Sequence, residues 1–586
     1  MKRILPVYSI ESINSPFLSK YIPPMSSPNV SRPLILWWVK RDLRIRDNAA
    51  LSAARQTAGE QGAALAALYV LDDAVAMHPE TSMHHARMID PALDDLHCKL
   101  EALGIPLLYA RAEMTHVIAG LEASGWQVRS VHSHEETGTA EGYARDVALG
   151  SFFADRNIPW HEEYRNGVIR RLSDRERRIG IFRRRMGQDP LVAPASCQNL
   201  PGQAELTMAM RGEFLDPAGS LADLAWKTGR LLADLEDVAA DPASGAYAVQ
   251  LVRSLQRDIA RFFPDESDAA LVASLRDPGA SGGLLGPPDF QAAGETAAER
   301  TLQSFFDSRG EGYSGGMSSM NSAPEHCSRF SVHLAWGSMS MRMAMRRCDQ
   351  RLAELKAEPR PPWGKSLRSF QRRLHWHDHF SQRLEDEPEI EFYPINRAYR
   401  GFSLPDDWQE RFWSWILGTT GYPYVDACIR HFRRSGYLSF RARAMITSFA
   451  IHDLRLPWRL VLYPMAQMMA DYVPGIHISQ LQMQAGLAGI NTLRVYNPTK
   501  QLSDHDADCN FVRTEVPELG DRDPGEIHAL PQLPIPGYMP ARIDYRNESR
   551  IYKGEYFAIK KSDAARQEAD RVLDCHGSRL RGRRKR

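Results

Sequence analysis

The 586 residues offer no cysteine pairing. Cys98, Cys197, Cys327, Cys348, Cys428, Cys509 and Cys575 are scattered, odd in number and never spaced C-x-x-C. That excludes a disulfide framework and a ribbon or knuckle zinc site, and it suits a reducing compartment. No uncharged apolar run reaches the roughly 18 residues of a spanning helix. Near the N-terminus Lys2 and Arg3 are followed by apolar residues that Pro6, Ser9, Glu11 and Asn14 interrupt, so a signal peptide is not expected. Charge of one sign is missing too: 73 Lys and Arg face 72 Asp and Glu, so any affinity for nucleic acid must come from a local patch. There is no G-x-G-x-x-G fingerprint, which speaks against an ordinary dinucleotide dehydrogenase, and no repeat of fixed period. The expectation is a cytoplasmic, monomeric protein with no membrane partner.

With 43% hydrophobic and 25% charged residues the composition is that of a globular protein, long enough for several domains. Residues 1–32, rich in Ser and Pro, read as an extension. Apolar runs at 34–39, 64–71, 105–110 and 128–132 read as buried strands. Helical spacing at 48–58 and 86–103 separates them. Strands alternating with helices predict an α/β domain over 33–170, a doubly wound parallel sheet covered on both faces. Residues 171–295 read as a helix-containing linker, with helical stretches at 221–238 and 246–263 and loop clusters at 241–245 and 277–288. From 296 to 545 the chain is rich in aromatics and Arg. Helical patterns there at 330–356, 366–383, 408–417, 424–435 and 442–454 predict an all-α domain. Residues 546–586 read as a tail whose last eight positions, 579–586, hold six basic side chains.

The most distinctive text is Trp413-Ser-Trp415-Ile-Leu-Gly418-Thr-Thr420-Gly421-Tyr422-Pro423-Tyr-Val425-Asp426-Ala427. Further blocks follow in a fixed order: Arg41-Asp42-Leu43-Arg44, Ser328-Arg329-Phe330-Ser331, Arg441-x-Arg443, Asn497 to Gln501, and Val516-Pro517-Glu518-Leu519. Together they resemble the DNA photolyase and cryptochrome flavoproteins, over residues 33–170 and 295–520, as a divergent subgroup. The resemblance implies that the helical domain holds FAD and that ultraviolet-damaged DNA is the partner. The activity it implies is that of a lyase: light-driven repair by electron transfer from excited reduced FAD to a flipped pyrimidine dimer, a cyclobutane dimer before a (6-4) photoproduct. The alternative is a cryptochrome-like blue-light photoreceptor without repair activity.

Site residues are carried over by position. Tyr313, Cys327, Ser328, Arg329, Phe330 and Ser331 fall where the family holds the diphosphate, with Cys327 in place of a Thr. Alone, S-R-F-S reads as a helix N-cap with a surface Arg; its place among the other blocks favours phosphate, for which it offers hydroxyl, guanidinium and backbone donors. Arg443 and Asp471 match an ion pair beside the flavin ring, where fixed positive charge stabilises an anionic reduced flavin. Tyr472 and Val473 adjoin that pair. Phe370 falls at a cofactor-packing aromatic position, with a plain core aromatic as the other reading. His477 aligns with the residue facing the reactive flavin nitrogen, and could donate a proton or a hydrogen bond. Trp376 matches the cavity tryptophan that stacks on an extruded base. Arg373 replaces a carboxylate that steadies the dimer anion, so Trp376, Arg373 and His477 form the expected catalytic set.

Arg372, Arg373, His375, His377 and His379 would make a cationic rim for phosphate, with His377 also near the cofactor. Arg441 and Gln501 match DNA-contacting positions. His375 and His379 share a helix face, yet with no H-E-x-x-H pattern or third ligand no metal is expected. Of the family's tryptophan relay only Trp458 is retained. The flavin-proximal member aligns with Leu481, Tyr399 and Phe402 lie near the outer position, and Trp413, Trp415, Tyr472 or Tyr496 offer other routes. The α/β domain resembles the family's antenna domain. His132 to Gly138, after a strand, marks a crevice for a folate, deazaflavin, flavin or lumazine antenna chromophore, or for none.

Overall fold

In the computed structural model, which describes residues 31–172, 177–210 and 290–576 together with positions 231, 269, 270 and 273, the first domain is built on five parallel strands. They are β1 (Arg32–Val39), β2 (Ala64–Leu71), β3 (Leu107–Arg111), β4 (Trp126–His134) and β5 (Trp160–Glu163), in the order β3-β2-β1-β4-β5. The pleat sends alternate residues of β1 to opposite faces. Ile35, Trp37 and Val39 enter one core with the helices Ala49–Gln61 and Met83–Ala102. Leu34, Leu36 and Trp38 enter the other with Met114–Ala123 and Ala140–Asp155. This is the expected doubly wound domain, with β5 added. Trp160-His-Glu-Glu163 is half-buried to exposed, an edge composition without the apolar run that marks a strand.

Of the expected linker, the helices Arg178–Arg183 and Gln203–Met210 are described; the stretches at 221–238 and 246–263, the loop clusters, residues 1–30 and the basic end 577–586 lie outside the described residues. The helical domain begins with Glu295–Asp307. The helix expected over 330–356 is two, Ser331–Trp336 and Met341–Ala357, because Gly337 adopts φ +75° and turns the chain. The stretch 442–454 is an α-helix, Phe440–Ser448, running into a π-helical turn, Phe449–Asp453. The expected tail is a further correction: Tyr545–Lys560 and Asp563–His576 are helices. Tyr545, Tyr552, Tyr556, Ala565 and Val572 lie in the main helical core. Among the described residues no helix is long and apolar enough to cross a membrane.

Two of the quoted blocks are fold devices. Gly418 ends the helix Trp408–Leu417 at φ +67°. The Asp426 carboxylate then accepts from Thr420 N (2.8 Å), Thr420 Oγ1 (2.7 Å), Gly421 N (3.0 Å) and Tyr538 Oη (2.5 Å). The turn is stapled to a segment more than a hundred residues away. Arg41 to Arg44 dock the domains: Arg41 Nη1 donates to the Tyr472 carbonyl at 2.8 Å and Arg44 Nη1 to the Gly337 carbonyl at 3.0 Å. Asp42 accepts from Trp37 Nε1 at 3.1 Å and lies 2.7 Å from His134 Nδ1. Trp336 Nε1 reaches the Ala470 carbonyl at 2.7 Å.

Candidate active site

Cys327, Ser328 and Arg329 sit in the loop before the helix Ser331–Trp336, and Arg329 takes φ +62°, a left-handed conformation uncommon for a side chain of this size. The Arg309 guanidinium holds the loop through the carbonyls of Cys327 (2.5 Å) and Ser328 (3.3 Å). Arg329 Nε donates to Gln291 Oε1 at 3.0 Å, and its guanidinium lies 3.7 Å over the Tyr437 ring. The helix Phe440–Ser448 carries Arg443, whose Nε donates to the Leu438 carbonyl at 2.9 Å and whose Nη2 pairs with Asp471 at 2.9 Å. Burial alone would raise the Asp471 carboxyl. Arg443 and a hydrogen bond from Ser331 instead hold it below the usual carboxylate range, so the ion pair is intact at neutral pH. Ser331, Arg443, Asp471 and His477 therefore adjoin, next to Cys327, Ser328 and Arg329.

His477 is buried, and its Nε2 lies 2.8 Å from the Leu462 carbonyl. A carbonyl only accepts, so Nε2 carries the proton and Nδ1 presents a lone pair. Burial, with Arg443 nearby, lowers the pKa to about 4 despite that hydrogen bond. At that value the ring is neutral at pH 7, its Nε2–H given to Leu462 and its Nδ1 left as an acceptor.

The long helix Pro361–Asp386 carries the second group. Trp376 is 48% exposed, unusual for the largest apolar side chain. The Arg373 guanidinium lies 5.5 Å from the Trp376 ring and 5.5 Å from that of Tyr313, held by Ser369 Oγ (2.7 Å) and Met317 Sδ (3.0 Å). Met320 Sδ accepts from Ser439 N, the cap before the exposed Phe440 and Arg441, and Ser319 Oγ donates to the His505 carbonyl at 2.6 Å. The segment 313–322 thus ties Trp376 and Arg373 to the helices bearing Arg441 and Gln501.

Other expectations shift. Phe330 and Phe370 point into a core of rings, Phe370 lying 4.9 Å from Phe305, 5.5 Å from Phe330 and 5.7 Å from Tyr313. Phe370 is packed as a core aromatic, in contact with Tyr313 of the expected phosphate site. Tyr472 and Val473 turn to the domain interface: the Tyr472 hydroxyl donates to Glu80 at 2.5 Å, and Val473 packs on the core of the first domain. His377 is half-buried, 3.0 Å from Asp378 Oδ1, and lines a small cleft with Arg44 and Arg165. Gln501 is only 7% exposed. Trp458 is half-buried on the main core beside Arg459, and Leu481 is buried there. Among the described residues no group of three metal-ligating side chains is gathered.

The residues suit FAD. Hydroxyls at Ser328 and Ser331 and guanidinium groups at Arg329 and Arg443 form a donor set for pyrophosphate and an anionic ring. Buried polar atoms without a hydrogen-bond partner of good geometry include Tyr437 Oη and Gln501 Oε1, which a polar guest would satisfy. Tyr437, Arg309 and Gln291 escape sequence reasoning, because each is placed only by a contact distant in the chain. A second cleft lies at the carboxyl ends of β1, β2 and β4, the switch point of the sheet order. It has about 1020 Å³ of space open to solvent, and Trp38, Lys40, Arg41, Glu136, Arg145 and Trp336 are among its walls.

Comparison with known proteins agrees with this arrangement. The family model for DNA photolyase matches residues 35–172, and that for the FAD binding domain of DNA photolyase matches 370–565. The chain is 26% identical over 510 residues to the deoxyribodipyrimidine photo-lyase of Salmonella typhimurium, covering 85% of this chain and 91% of that one. To the cryptochrome DASH of Gloeobacter violaceus it is 24% identical over 520 residues, covering 85% and 88%. The fold matches a class III photolyase from Agrobacterium tumefaciens with a TM-score of 0.66 at 22% identity, over 92% of this chain and all of that one. It also matches a Sulfolobus tokodaii photolyase with two FAD molecules, at 0.62 and 20%, over 90% of this chain and all of that one. The two family models lie in order on the two structural halves and together span more than half of the sequence, and the chain belongs to the DNA photolyase and cryptochrome family.

Proposed function

We propose that the protein is a light-driven DNA repair lyase acting on pyrimidine dimers in ultraviolet-damaged DNA, cyclobutane dimers first. The observation that carries this reading is the exposed Trp376 ring with the Arg373 guanidinium beside it. A flat apolar face at the surface is costly unless a partner covers it, and an extruded base is such a partner. Curated relatives named deoxyribodipyrimidine photo-lyase support the substrate class.

Reduced FAD, when bound and excited by blue light, supplies one electron to the lesion and recovers it after the dimer bonds split. The chain's own residues set the conditions. Trp376 stacks the extruded base, and Arg373 stands over the place where negative charge develops, its orientation set by Ser369 and Met317. Arg443, paired with Asp471, keeps a fixed cation near the coenzyme. His477, neutral and accepting through Nδ1, adds neither charge nor an acidic proton there. Exposed Arg372, Arg441 and Lys500 offer phosphate contacts. The cleft at the sheet's carboxyl edge is the place for an antenna chromophore.

The test is repair of oligonucleotides carrying either lesion by chemically reduced protein, in blue light and in darkness. Light-dependent loss of cyclobutane dimers is expected. Loss of neither lesion would overturn the reading and leave the photoreceptor role that the cryptochrome relatives represent. Trp376→Ala should weaken lesion binding by about 1–3 kcal/mol; an unchanged dissociation constant would remove Trp376 from the cavity.

A further inference from the structure

The interface between the two halves buries a file of rings that the repair reaction does not use. His477, on the coenzyme side, meets the edge of Tyr472 at 5.7 Å. Tyr472 stacks on His85 at 5.4 Å and 12°, and His85 lies 5.2 Å from Trp336. These separations are those of rings in contact. All four are buried, and His85 and Trp336 line the solvent-open cleft. The file therefore runs from the proposed flavin site to water.

Oxidising a tyrosine requires a base for its phenolic proton, and Tyr472 has one. Its hydroxyl donates to Glu80 Oε2 at 2.5 Å. Among other buried tyrosines, Tyr552 and Tyr422 donate to the carbonyls of Ala485 and Ile543, and Tyr463 reaches Glu391 Oε1 only at a long 3.4 Å. Tyr538 does meet a carboxylate, but that group is filled by Thr420 and Gly421. Around Glu80 stand His78, Arg41 and Glu391. His78 lies 3.7 Å from Glu80 and 3.6 Å from Glu391, and His78 and Glu80 both line the cleft. The proton thus has an acceptor and an exit.

We propose that Tyr472 is a redox-active tyrosine that delivers electrons to the bound coenzyme, with Glu80 as its proton acceptor. The proposal rests on the reading that FAD sits against Arg443 and His477. One electron passes from Tyr472 to the light-excited oxidised coenzyme, the Oη–H bond breaks, and an O–H bond forms on Glu80 Oε2. Tyr472 becomes a neutral tyrosyl radical and the coenzyme is reduced by one electron. A soluble thiol reaching the cleft returns an electron across the rings and loses its S–H proton to water, Glu80 returns its proton to the Tyr472 oxygen, and the thiyl radicals so formed couple in pairs as disulfide. Leu481, which has no ring, stands where the relay would have its flavin-proximal tryptophan, and Tyr472 is one of the aromatic residues that could serve instead.

The experiment uses the flavin-loaded full chain, its coenzyme content read from absorbance beforehand. Illumination without thiol should give an electron paramagnetic resonance signal that narrows when ring-deuterated tyrosine is incorporated. Tyr472→Phe should abolish that signal, and Glu80→Gln should slow photoreduction by about a hundredfold, the effect of losing a positioned base. A signal that responds only to ring-deuterated tryptophan, no photoreduction, or an unchanged rate in Tyr472→Phe would overturn the proposal while the coenzyme reading stands. A chain that binds no flavin would overturn both. The labelling result needs no substitution, and a signal that ring-deuterated tyrosine leaves unchanged overturns the proposal even where a variant misfolds.

Discussion

Replacing Gly337 by Ala tests how the two halves are joined. The residue closes the helix Ser331–Trp336 at φ +75°, and a Cβ there would lie 2.0 Å from the Arg41 carbonyl oxygen and 2.5 Å from the Asp42 Cα. Both are backbone atoms, which cannot swing aside. The left-handed conformation costs about 1–2 kcal/mol, and opening a packed contact adds about 1–3 kcal/mol, so the total is roughly 2–5 kcal/mol. At about 2 °C per kcal/mol for a large folding unit, Tm should fall by about 4–10 °C. Gly537 supplies the control: its φ is +88° and nothing lies within 4 Å of a Cβ built there. Gly537→Ala should therefore lose only the conformational part, about 2–4 °C. Differential scanning calorimetry at one scan rate reads both. Because Arg44 donates to the Gly337 carbonyl and Arg41 to that of Tyr472, faster tryptic cleavage in this region should accompany the change. Equal losses of Tm in the two variants would refute the claim that this interface is backbone-tight.

Asp426→Ala would leave donors from Thr420, Gly421 and Tyr538 without their acceptor, at about 1–3 kcal/mol for each orphaned group; little folded protein should be recovered, and a yield and Tm like the parent's would contradict the stapling role. Asp471→Asn removes the partner of Arg443 and should weaken coenzyme retention in equilibrium dialysis by about 1–3 kcal/mol, whereas unchanged retention would place the pair away from the flavin. Acid should destabilise the protein well above the carboxylate range. Burial lowers His84, His333, His452 and His477 to about 4 and His85 to about 3, from 6.5. The unfolded chain then binds more protons than the native one between these values. Stability is thus full above pH 6.5 and is lost as pH falls toward 4, by ~2 kcal/mol per histidine at pH 5. Melting followed by circular dichroism at pH 7 and pH 5 checks this; equal Tm values would refute it.

The parts of the molecule legible in the sequence are those whose burial is periodic. β1 and β2 read as strands because both of their faces are buried, which leaves near-continuous apolar text. β5 has no such text at the sheet's edge. The helices after residue 545 do carry a pattern, with Tyr545, Ser549, Tyr552 and Tyr556 buried at three- and four-residue steps. Their tyrosines and many charges make it resemble a solvated tail. Gly337 and the π-helical turn at Phe449–Asp453 break helices that apolar spacing would run through.

At the site the division follows a different physical line. The stretch Trp413 to Ala427, the clearest family text, specifies a turn: its Asp426 is consumed by backbone and hydroxyl donors and faces no guest. Arg443 and Asp471 could be paired from sequence because each matches a position with one stated role, and they meet at 2.9 Å. Tyr472 adjoins Asp471 in sequence, yet its hydroxyl is claimed by Glu80, 392 residues earlier, and its side chain goes to the other side of the wall. Neighbours along a chain that leaves one helix and enters the next point in divergent directions, so a block of consecutive residues cannot all face one ligand. What a motif conveys is the position of the backbone. Which of its side chains reach the coenzyme, and which serve the joint between domains, is decided by the partner element. For Tyr472 that partner is the segment carrying Glu80, whose own text bears no mark of the encounter.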